Sequence, residues 1–361
     1  MVNLSQRGRA GLQFLGSLQH FSSGTLRPQA RTDFETDPDG AALMARPASG
    51  SNAPWPERIA EARAVAERSL KYRQERFYQG YVARENFRRA IPAVEERRAA
   101  FEAQKVSLPA DAAATLELDP SVVMPDYYRD VAWHCSPGGW DGYDLASQAI
   151  AQGVTRYVFS RGGYAAVEVD EDIREQRRRV LRQLPKTRYG RIYEAGCGPG
   201  VTLLLAHERF PDAELIGSDL SPGLLKNAHA NAVRLGIPVA FKQRDARATR
   251  EPDSSVDAVI FYALMHEMPV DVGIDVIREA FRILKPGGDL LINDPPPFAA
   301  VDPLQAVLLD WETENRGEPY FTETCSIQWS DVLRDVGFAE IEGYGLGPRG
   351  YPWINRGTKP V

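Results

Sequence analysis

A glycine-rich turn between a buried strand and a helix constrains the fold of this chain more than any other feature. The turn, Glu194–Gly200 (EAGCGPG), follows an apolar run that begins at Arg191. A helical pattern starts at Val201, and the next apolar run ends in a carboxylate, Asp219. Glycine lets the backbone bend sharply and leaves no Cβ between the backbone and a ligand lying across it. These residues predict a β-α-β unit whose turn faces a ligand.

The rest of the C-terminal half continues the same alternation after Pro185. Helix-like patterns separate short apolar runs, which is typical of a mainly parallel sheet. Two further runs flank a GPRG linker and predict a terminal hairpin. The sequence therefore predicts an α/β fold with a seven-stranded, mainly parallel sheet, helices on both faces and a C-terminal β-hairpin. The predicted strands are Arg191–Ala195, Ala213–Asp219, Val239–Asp245, Val256–Tyr262, Asp289–Asp294, Ala339–Tyr344 and Tyr351–Asn355, and the main helices are Val201–Arg209, Pro222–Leu235, Val270–Leu284 and Ser330–Val336.

The acids around the turn indicate the kind of ligand. Asp219, at the tip of the second strand, can accept hydrogen bonds from the two hydroxyls of a ribose. A nicotinamide-binding turn, Gly-x-Gly-x-x-Gly, would need glycine where this chain has Val201. Glu194 would repel a pyrophosphate but suits a cation or an amino group. These residues favour a positively charged nucleoside cofactor.

Residues 187–361 resemble the class I S-adenosylmethionine-dependent methyltransferases. The resemblance rests on the turn Glu194–Gly200, on Asp219, on Asp245 followed by Ala246, and on Leu284–Gly288 (LKPGG) before the fifth strand. It implies a Rossmann-like fold and S-adenosyl-L-methionine as cofactor. Leu220 and Tyr262 are expected as apolar walls beside the cofactor. The expected cofactor-binding residues are Glu194, Gly196, Cys197, Gly198, Gly200, Asp219, Leu220, Asp245, Ala246 and Tyr262.

The sequence of the N-terminal half predicts a different organisation from that of the C-terminal half. Residues 1–55 are expected to form an arm, extended from residue 21 because Gly, Pro, Ser and Asp are frequent there. The acid-free first 32 residues fit either a transit peptide or a helix with a leucine stripe, and the helix is preferred. Residues 56–185 are expected to form a helical cap that shapes the substrate site. Residues 186–361 are expected to form the methyltransferase domain.

Candidate catalytic residues follow the fourth predicted strand of the sheet, where open α/β sheets bind ligands. His266 is the candidate catalytic residue, as a general base for a hydroxyl acceptor. The alternative is a structural His266–Glu267 pair that caps the next helix, and this alternative is preferred. The segment Asp294–Phe298 (DPPPF) resembles a motif of amino-methylating enzymes, but it follows the fifth strand instead of the fourth, so a rigid loop near the acceptor is preferred. No metal is expected, because Glu267, Asn293 and Asp294 do not match the pattern of catechol-type enzymes.

Aromatic side chains are frequent in the helical half. They could line a pocket for a planar or apolar substrate, or they could pack the two halves together. The candidate substrate-pocket residues are Tyr128, His134, Trp140, Tyr157 and Glu267.

Composition and net charge limit which binding partners and which cellular compartment are expected. A net charge of −6 argues against a nucleic-acid surface, so nucleic acid is an unlikely partner. Three widely spaced cysteines fit a reducing compartment and predict a cytoplasmic protein. No apolar run approaches the roughly 20 residues that span a bilayer, so no membrane partner is expected. A homodimer is compatible with the sequence.

The sequence thus predicts a methyltransferase acting on a small molecule, with oxygen as the expected acceptor atom and nitrogen or carbon as alternatives. A protein or RNA methyltransferase is the first competing hypothesis. A non-catalytic relative that only binds the cofactor is the second. A cyclase or aminopropyl transferase using the same cofactor site is the third.

Overall fold

A computed structural model describes residues 2–46, 53–106, 112–162 and 172–361. Its centre is one sheet, formed by β1 (Thr115–Glu117), β2 (Arg191–Ala195), β3 (Glu214–Asp219), β4 (Val239–Gln243), β5 (Val256–Tyr262), β6 (Leu284–Asp294), β7 (Ala339–Gly345) and β8 (Trp353–Thr358). The strand order is β1-β4-β3-β2-β5-β6-β8-β7.

Strands β1 to β6 are parallel, whereas β8 runs antiparallel to β6, and β7 runs antiparallel to β8. The predicted α/β fold and C-terminal hairpin are confirmed. The sheet has eight strands instead of the predicted seven, because β1 of the N-terminal half pairs with β4. Three residues are too few to show a strand periodicity in the sequence.

Helices surround the sheet and make up most of the N-terminal half. Short π-helical and 3₁₀ turns link several of them. The helices are α1 (Gln6–Phe21), α2 (Arg27–Thr36), α3 (Pro38–Ala45), α4 (Trp55–Ala66), α5 (Leu70–Glu95), α6 (Arg98–Val106), α7 (Asp126–Arg129), α8 (Ala146–Gln148), α9 (Thr155–Tyr157), α10 (Ile173–Leu181), α11 (Val201–Arg209), α12 (Pro222–Leu235), α13 (Val270–Ile283), α14 (Pro303–Asn315), α15 (Phe321–Ser326) and α16 (Trp329–Val336).

Alternate residues of the central strands pack into two different cores, as the two-residue period of a strand requires. Ile192 of β2 packs with residues of α10, α11 and α12 on one face. Tyr193, the next residue, packs with residues of α13 and α16 on the other face. Both faces of the parallel sheet are therefore covered by helices.

The expected extended arm over residues 21–55 is wrong for the residues that the structure describes there. Helices α2 and α3 occupy most of this stretch, and Phe34 and Leu43 are buried. Pro28 and Pro38 lie in the first turns of these helices, and the Asp37 side chain caps α3. Proline and aspartate are favourable at helix starts, so the residues read as loop-forming in fact begin helices. The preferred N-terminal helix is confirmed as α1.

The carboxyl ends of β2, β3, β5 and β6 meet at one edge of the sheet, because parallel strands end on the same side. The predicted ligand-binding residues follow these ends. No helix among the described residues is long and apolar enough to span a lipid bilayer.

Candidate active site

The three glycines of the turn after β2 are required for different structural reasons. Their φ angles are +63° at Gly196, +52° at Gly198 and +77° at Gly200. A Cβ at Gly196 would lie 2.4 Å from Leu264, and a Cβ at Gly200 would lie 3.1 Å from Phe241. A Cβ at Gly198 would meet nothing within 4 Å. Packing therefore requires glycine at the first and third positions, and only Gly198 faces open space that a ligand can fill.

Asp219 lies beside this open space at the end of β3. Its Oδ2 accepts a hydrogen bond from the Gly198 N–H, and its Oδ1 accepts one from the Ser221 N–H, both at 2.8 Å. Burial, with a smaller contribution from the charges of Asp141 and Glu267, raises the pKa of Asp219 to about 6. The two N–H groups fix the carboxylate and leave lone pairs for a diol.

Glu194, the last but one residue of β2, is 1% exposed. Its Oε2 has no hydrogen-bond partner among the described residues. Burial raises the pKa of Glu194 to about 8, although the Arg177 charge opposes the shift. A buried carboxylate oxygen without a partner is costly unless a ligand donates to it.

Cys197 contributes to the turn through its backbone. Its N–H donates to the Ser218 carbonyl at 2.9 Å, and its side chain is buried. A Cβ at Gly217 would lie 2.9 Å from the Cys197 sulfur, so the thiol points into the core. Only the backbone of Cys197 is left to face a ligand.

The residues expected around an adenine lie on the loops after β3 and β4. Gln243 joins the two loops by donating to the Leu220 carbonyl at 3.1 Å. Asp245 already has a partner, because its Oδ2 accepts from Arg247 Nη2 at 2.7 Å. Ala246 is partly buried against the core. An adenine amine would therefore share Asp245 with Arg247.

Tyr262, at the end of β5, is covered by α10. The Tyr262 hydroxyl donates to Gln176 Oε1 at 2.7 Å, and the Arg177 guanidinium lies 3.8 Å from the centroid of the Tyr262 ring. Arg177 also donates to the Thr202 hydroxyl. Sequence reasoning missed Arg177, which brings a positive charge to the end of the turn where Glu194 lies.

A second group of polar side chains, the His–Glu cluster, lies beyond the ends of β5 and β6. It consists of His134, His266, Glu267, Asp294 and Glu318. His134 Nδ1 lies 2.6 Å from Glu318 Oε1, and His134 Nε2 lies 3.4 Å from Glu267 Oε1. His266 Nδ1 lies 2.5 Å from Asp294 Oδ1. His266 Nε2 lies 3.8 Å from Glu267 and 4.0 Å from Glu318.

The cluster is strongly coupled electrostatically. Burial alone would lower the pKa of His134, but the Glu318 and Glu267 carboxylates outweigh it and raise the pKa to about 10. Burial is likewise outweighed at His266, where Asp294 raises the pKa to about 9. Burial would raise the pKa of Glu267, but His134 holds it below its usual value. Three carboxylates and two imidazoles thus share one buried volume.

Strained backbone brings the cluster together. His134 and Ala263, neither of them glycine, both have φ of +53°. The His134 N–H donates to the Gly317 carbonyl at 3.2 Å, and the Ala263 N–H donates to the Asn293 carbonyl at 2.8 Å. Such conformations cost on the order of 1–3 kcal/mol each and concentrate at functional sites.

The predicted pocket residues are divided between three places. His134 and Glu267 are members of the cluster, and the Trp140 ring lies 5.0 Å from the His134 ring. Tyr128 lies on the cofactor side, where its hydroxyl donates to Asp141 at 3.1 Å. Tyr157 packs in the N-terminal helical core instead, so the structure does not bring it to the others.

Glu318 was also missed by sequence reasoning. It is 1% exposed and lies about 50 residues after Glu267 in the chain, between α14 and α15. No motif surrounds it. In the sequence, Glu318 is marked only by the glycine directly before it. In the structure, Gly317 has a positive φ of +69° and lies against the backbone of His134.

Comparison with known proteins gives a family for part of the chain. Residues 192–288 match the family model described as a methyltransferase domain. Demethylmenaquinone methyltransferase of Thermus thermophilus is 35% identical over 130 residues, covering 35% of this chain and 56% of that protein. Trans-aconitate 2-methyltransferase of Methylobacterium radiotolerans is 38% identical over 106 residues, covering 29% and 38%.

A third relative differs in the acceptor that its name gives. Ribosomal RNA small subunit methyltransferase C of Hahella chejuensis is 29% identical over 157 residues, covering 42% of this chain and 43% of that protein. The chain thus spans 38% to 56% of the length of these three relatives. The family prediction is confirmed for the segment that carries the glycine turn, Asp219 and Asp245. Over residues 192–288, the chain matches the class I S-adenosylmethionine-dependent methyltransferases.

Proposed function

We propose that this protein transfers a methyl group from S-adenosylmethionine to an oxygen atom of a small molecule. The observation that carries the proposal is the adjacency of two features. One is the open space at Gly198 beside the fixed carboxylate of Asp219. The other is the buried His–Glu cluster at the same edge of the sheet, on the segment after β5 whose Leu264 lies against Gly196 of the turn.

The chain has groups that fit this cofactor. The open space at Gly198 accommodates a ligand against the backbone, and the unpartnered Glu194 Oε2 can accept from its amino group. Asp219 would hold the ribose hydroxyls, and Leu220, Asp245 and Ala246 would contact the adenine. When bound, S-adenosylmethionine supplies a methyl group on a sulfonium that is already activated for in-line displacement.

The acceptor side supports a small and polar substrate. The side chains of His134 and Glu267 are each 17% exposed, and that of Glu318 is 1% exposed. So enclosed a set of groups can surround a small molecule more readily than a protein or an RNA helix. A hydroxyl acceptor would find carboxylates to hold its proton and donors to orient its oxygen.

We propose that His266 positions Glu267 and does not act as the general base. Both ring nitrogens face carboxylates, Asp294 on one side and Glu267 and Glu318 on the other. The ring also packs edge-on against Phe321 at 5.4 Å. A general base must be unprotonated at its working pH, and Asp294 and the neighbouring glutamates raise the pKa of His266 to about 9. The cluster thereby supports a positioning role for His266, but the expected helix cap is wrong, because α13 has no side-chain cap at its first turn.

The relatives give limited support for the acceptor class. Two of the three names above denote small-molecule acceptors, demethylmenaquinone and trans-aconitate, and one denotes ribosomal RNA. The three cysteines are free, as expected of a cytoplasmic protein.

The acceptor class can be tested with S-adenosylmethionine labelled with ¹³C in the methyl group. The protein is incubated with a cell extract separated into a low-molecular-weight filtrate and a macromolecular fraction. We expect label in the filtrate, with the methyl carbon at the chemical shift of an O-methyl group. Label in protein or RNA would overturn the small-molecule proposal, and an N-methyl or C-methyl shift would overturn the oxygen assignment.

Two measurements separate failure of catalysis from failure of binding. The Asp219→Ala variant should transfer less label at subsaturating S-adenosylmethionine, because it should bind the cofactor product S-adenosylhomocysteine more weakly by roughly 1.5–3 kcal/mol. If the unaltered protein binds S-adenosylhomocysteine but transfers no methyl group to either fraction, the protein is a non-catalytic cofactor binder and the proposal is wrong.

A further inference from the structure

We infer that Arg27 binds a carboxylate of the acceptor, which makes the acceptor a small hydroxy acid. Arg27 is the first residue of α2, and its side chain is 7% exposed. That the acceptor carries the carboxylate rests on the proposed methyl transfer. That Arg27 can bind a carboxylate rests on its own surroundings and can be tested without catalysis.

The Arg27 guanidinium has hydrogen-bond donors that are not used. Its Nε donates to Glu75 Oε1 at 3.0 Å. Its Nη1 and Nη2 are also buried, but neither has a hydrogen-bond partner among the described residues. A buried donor without a partner is costly. The two Nη atoms form a fork that matches the two oxygens of a carboxylate, so such a ligand would satisfy both.

Arg27 belongs to a buried group with one excess positive charge, the arginine cluster, formed by Arg27, Glu75, Arg76, Glu312 and Arg316. Arg27 and Arg76 share the Glu75 carboxylate, and Arg316 pairs with Glu312 at 2.8 Å. The Glu312 charge also acts on Arg76. Three guanidinium groups thus accompany two carboxylates, and one further carboxylate would balance them. A phosphate monoester, with a charge of about −1.5 to −2 at neutral pH, would exceed this balance.

The excess charge is evident in the pKa of Arg27. Burial, together with the charges of Arg76 and Arg349, lowers this pKa to about 10 in spite of the opposing charge of Glu75. The guanidinium is still protonated at neutral pH. It therefore carries a positive charge that the surrounding residues compensate incompletely.

The loop between β7 and β8 links Arg27 to the DPPPF segment. Arg349 of this loop lies close enough to Arg27 for its charge to act on it. A Cβ at the next residue, Gly350, would lie 3.1 Å from the Pro296 side chain. Pro296 comes two residues after Asp294, a member of the His–Glu cluster. Arg27 is therefore near the segment that supplies Asp294 to the candidate acceptor site.

Tyr351, in the same loop, connects Arg27 to the cofactor side as well. Ala30, three residues after Arg27 on α2, packs in the same core as Tyr351. Burial raises the pKa of Tyr351, and the nearby Tyr262 and Asp294 contribute to the shift. Tyr351 thus lies between the start of α2, the end of β5 and the His–Glu cluster.

The chain from Arg316 to Glu318 joins the arginine cluster directly to the His–Glu cluster. Arg316 Nη2 donates to Gln79 Oε1 on α5. The carbonyl of the next residue, Gly317, accepts from the His134 N–H at 3.2 Å. Glu318 then belongs to the His–Glu cluster itself. The two clusters are therefore neighbours, separated by a single residue of this segment.

The backbone before Arg27 is also unusual. Ser22–Leu26 form one turn of π-helix between α1 and α2. Ser22 and Ser23 of this turn are buried and accept hydrogen bonds from Gln79 Nε2, each at 3.0 Å. Single π-helical turns are rare and occur frequently at functional sites. This turn sets the direction in which Arg27 enters the arginine cluster.

The two clusters together indicate the chemical class of the acceptor. The His–Glu cluster offers carboxylates that can accept the proton of a hydroxyl group. The arginine cluster offers an unpaired fork of N–H groups that suits an anion. A small molecule with a hydroxyl at one end and a carboxylate at the other would be held in one orientation. Its hydroxyl oxygen would then be the atom presented to the methyl group.

The first test uses acetate as the probe and needs neither cofactor nor acceptor. Thermal unfolding of the full chain is measured at pH 7 in increasing sodium acetate and in sodium chloride of equal ionic strength. Acetate should raise the melting temperature of the unaltered protein more than chloride does, because it binds the folded state. For Arg27→Gln, the two salts should have the same effect.

Arg191→Gln is the matched control. Arg191 is a partly buried arginine that pairs with Glu214 and with buried Glu251, each at 3.1 Å. It begins β2, so it lies at the opposite edge of the sheet from the glycine turn. This variant should keep the full difference between acetate and chloride.

Two results of this test would overturn the inference. One is the same effect of acetate and chloride on the unaltered protein, and the other is an acetate-specific effect that persists in Arg27→Gln. If Arg27→Gln does not fold, Arg27→Lys replaces it, because lysine keeps the charge but lacks the fork. Arg27→Lys should show a smaller acetate-specific effect, and an undiminished one would equally overturn the inference.

The second test identifies the acceptor class by methyl transfer. The low-molecular-weight filtrate is separated by anion exchange at pH 7 before incubation with ¹³C-labelled S-adenosylmethionine. We expect label in the retained fraction, in a product whose accurate mass and NMR spectrum show a free carboxylate. Arg27→Gln should need at least roughly tenfold more of this fraction for half-maximal rate, with S-adenosylhomocysteine binding unchanged.

The outcomes separate this inference from the proposed function. Label in the unretained fraction, or in a phosphate that has no carboxylate, would overturn the inference and leave small-molecule methyl transfer standing. An acetate effect that depends on Arg27, without methyl transfer to any fraction, would refute the proposed function and leave the anion site standing.

Discussion

A glycine in a ligand-binding turn can be required by packing within the protein or by a ligand, and Gly198 is an example of the second case. Its neighbours Gly196 and Gly200 are glycines because the protein itself fills the space around them. Gly198 has an equally left-handed backbone, but its missing Cβ borders open space. A side chain at Gly198 should therefore interfere with a ligand more than with folding.

Gly198→Ala should weaken S-adenosylhomocysteine binding at least roughly tenfold, because the new methyl group occupies the ligand's place. Gly236→Ala is its control, since Gly236 has φ of +66°, no atom within 4 Å of a Cβ, and lies at the C-terminal end of α12. Both changes should cost about 1–2 kcal/mol of stability from left-handed strain. Calorimetry giving the same affinity for both variants would contradict the assignment.

Asp219 should make cofactor binding dependent on pH. Its pKa is raised to about 6, mainly by burial, and the ionised form is the one that accepts both ribose hydrogen bonds. Below this pKa a proton must leave before binding, so affinity falls as the pH falls and is constant above it. Adenosine, which lacks the amino acid near Glu194, should bind about tenfold more weakly at pH 5 than at pH 7. A flat profile would contradict this role of Asp219.

The residues of the candidate cofactor site could be predicted from sequence to lie together, because they are close in the chain and near strand ends. The turn at Gly198 and the acid at Asp219 are 21 residues apart and joined by one β-α-β unit. The cluster could not be predicted, because His134, Glu267 and Glu318 come from three distant segments. Only the folded backbone, including the positive φ at His134, brings them together.

Helix α10 closes the end of the cofactor site through one side chain. Arg177 lies over Tyr262 and opposes the upward shift in the pKa of Glu194. Removing its charge should raise the pKa of Glu194 further and leave more of that carboxyl protonated near neutral pH. A protonated carboxyl attracts a cationic ligand less.

Arg177→Met should weaken S-adenosylhomocysteine binding by roughly 1 kcal/mol, because a protonated Glu194 gives the amino group of the ligand a neutral instead of a charged hydrogen bond. Arg174→Met on the same helix is the control, because Arg174 is exposed and pairs only loosely with Glu208, at 4.0 Å. Calorimetric affinities that fall equally in the two variants would place the effect on the helix and not on Arg177.

Elements with strong local signals agree with the sequence predictions. Helices α11 and α12 have the predicted bounds, and β2 and β5 do as well. In these elements periodicity, a cap or proline at the start and the position of glycine all indicate the same structure. The described residues of the stretch 21–55 were misread because proline and aspartate are typical both of loops and of helix starts.

At the scale of the whole molecule, the N-terminal helices share a core with the helices that follow the DPPPF segment. Phe34 of α2 is 1% exposed and packs in the same cluster as Ile59, Leu308 and Phe298. The Trp55 ring lies 5.6 Å from the Phe298 ring. This shared core ties the helical half to the loop that carries Asp294, and so to the His–Glu cluster.

Phe34→Ala should lower the free energy of unfolding by about 3–5 kcal/mol, as loss of a buried phenylalanine usually does. Phe77→Ala should change it by about 0.5 kcal/mol or less, because Phe77 is 65% exposed. Chemical denaturation followed by circular dichroism measures both. A small effect for Phe34→Ala would mean that the packing of α2 contributes little to stability.

Strand β1 has a consequence for any attempt to study the methyltransferase segment alone. Its three residues pair with β4 and occupy what would otherwise be the outer edge of the sheet. A fragment starting at residue 172 would uncover the N–H and carbonyl groups of β4, and uncovered strand edges recruit other chains. Such a fragment should aggregate, and fusing residues 112–119 back to it through a flexible linker should reduce the aggregation only in part, because the fragment also uncovers the core that α14 shares with the N-terminal helices.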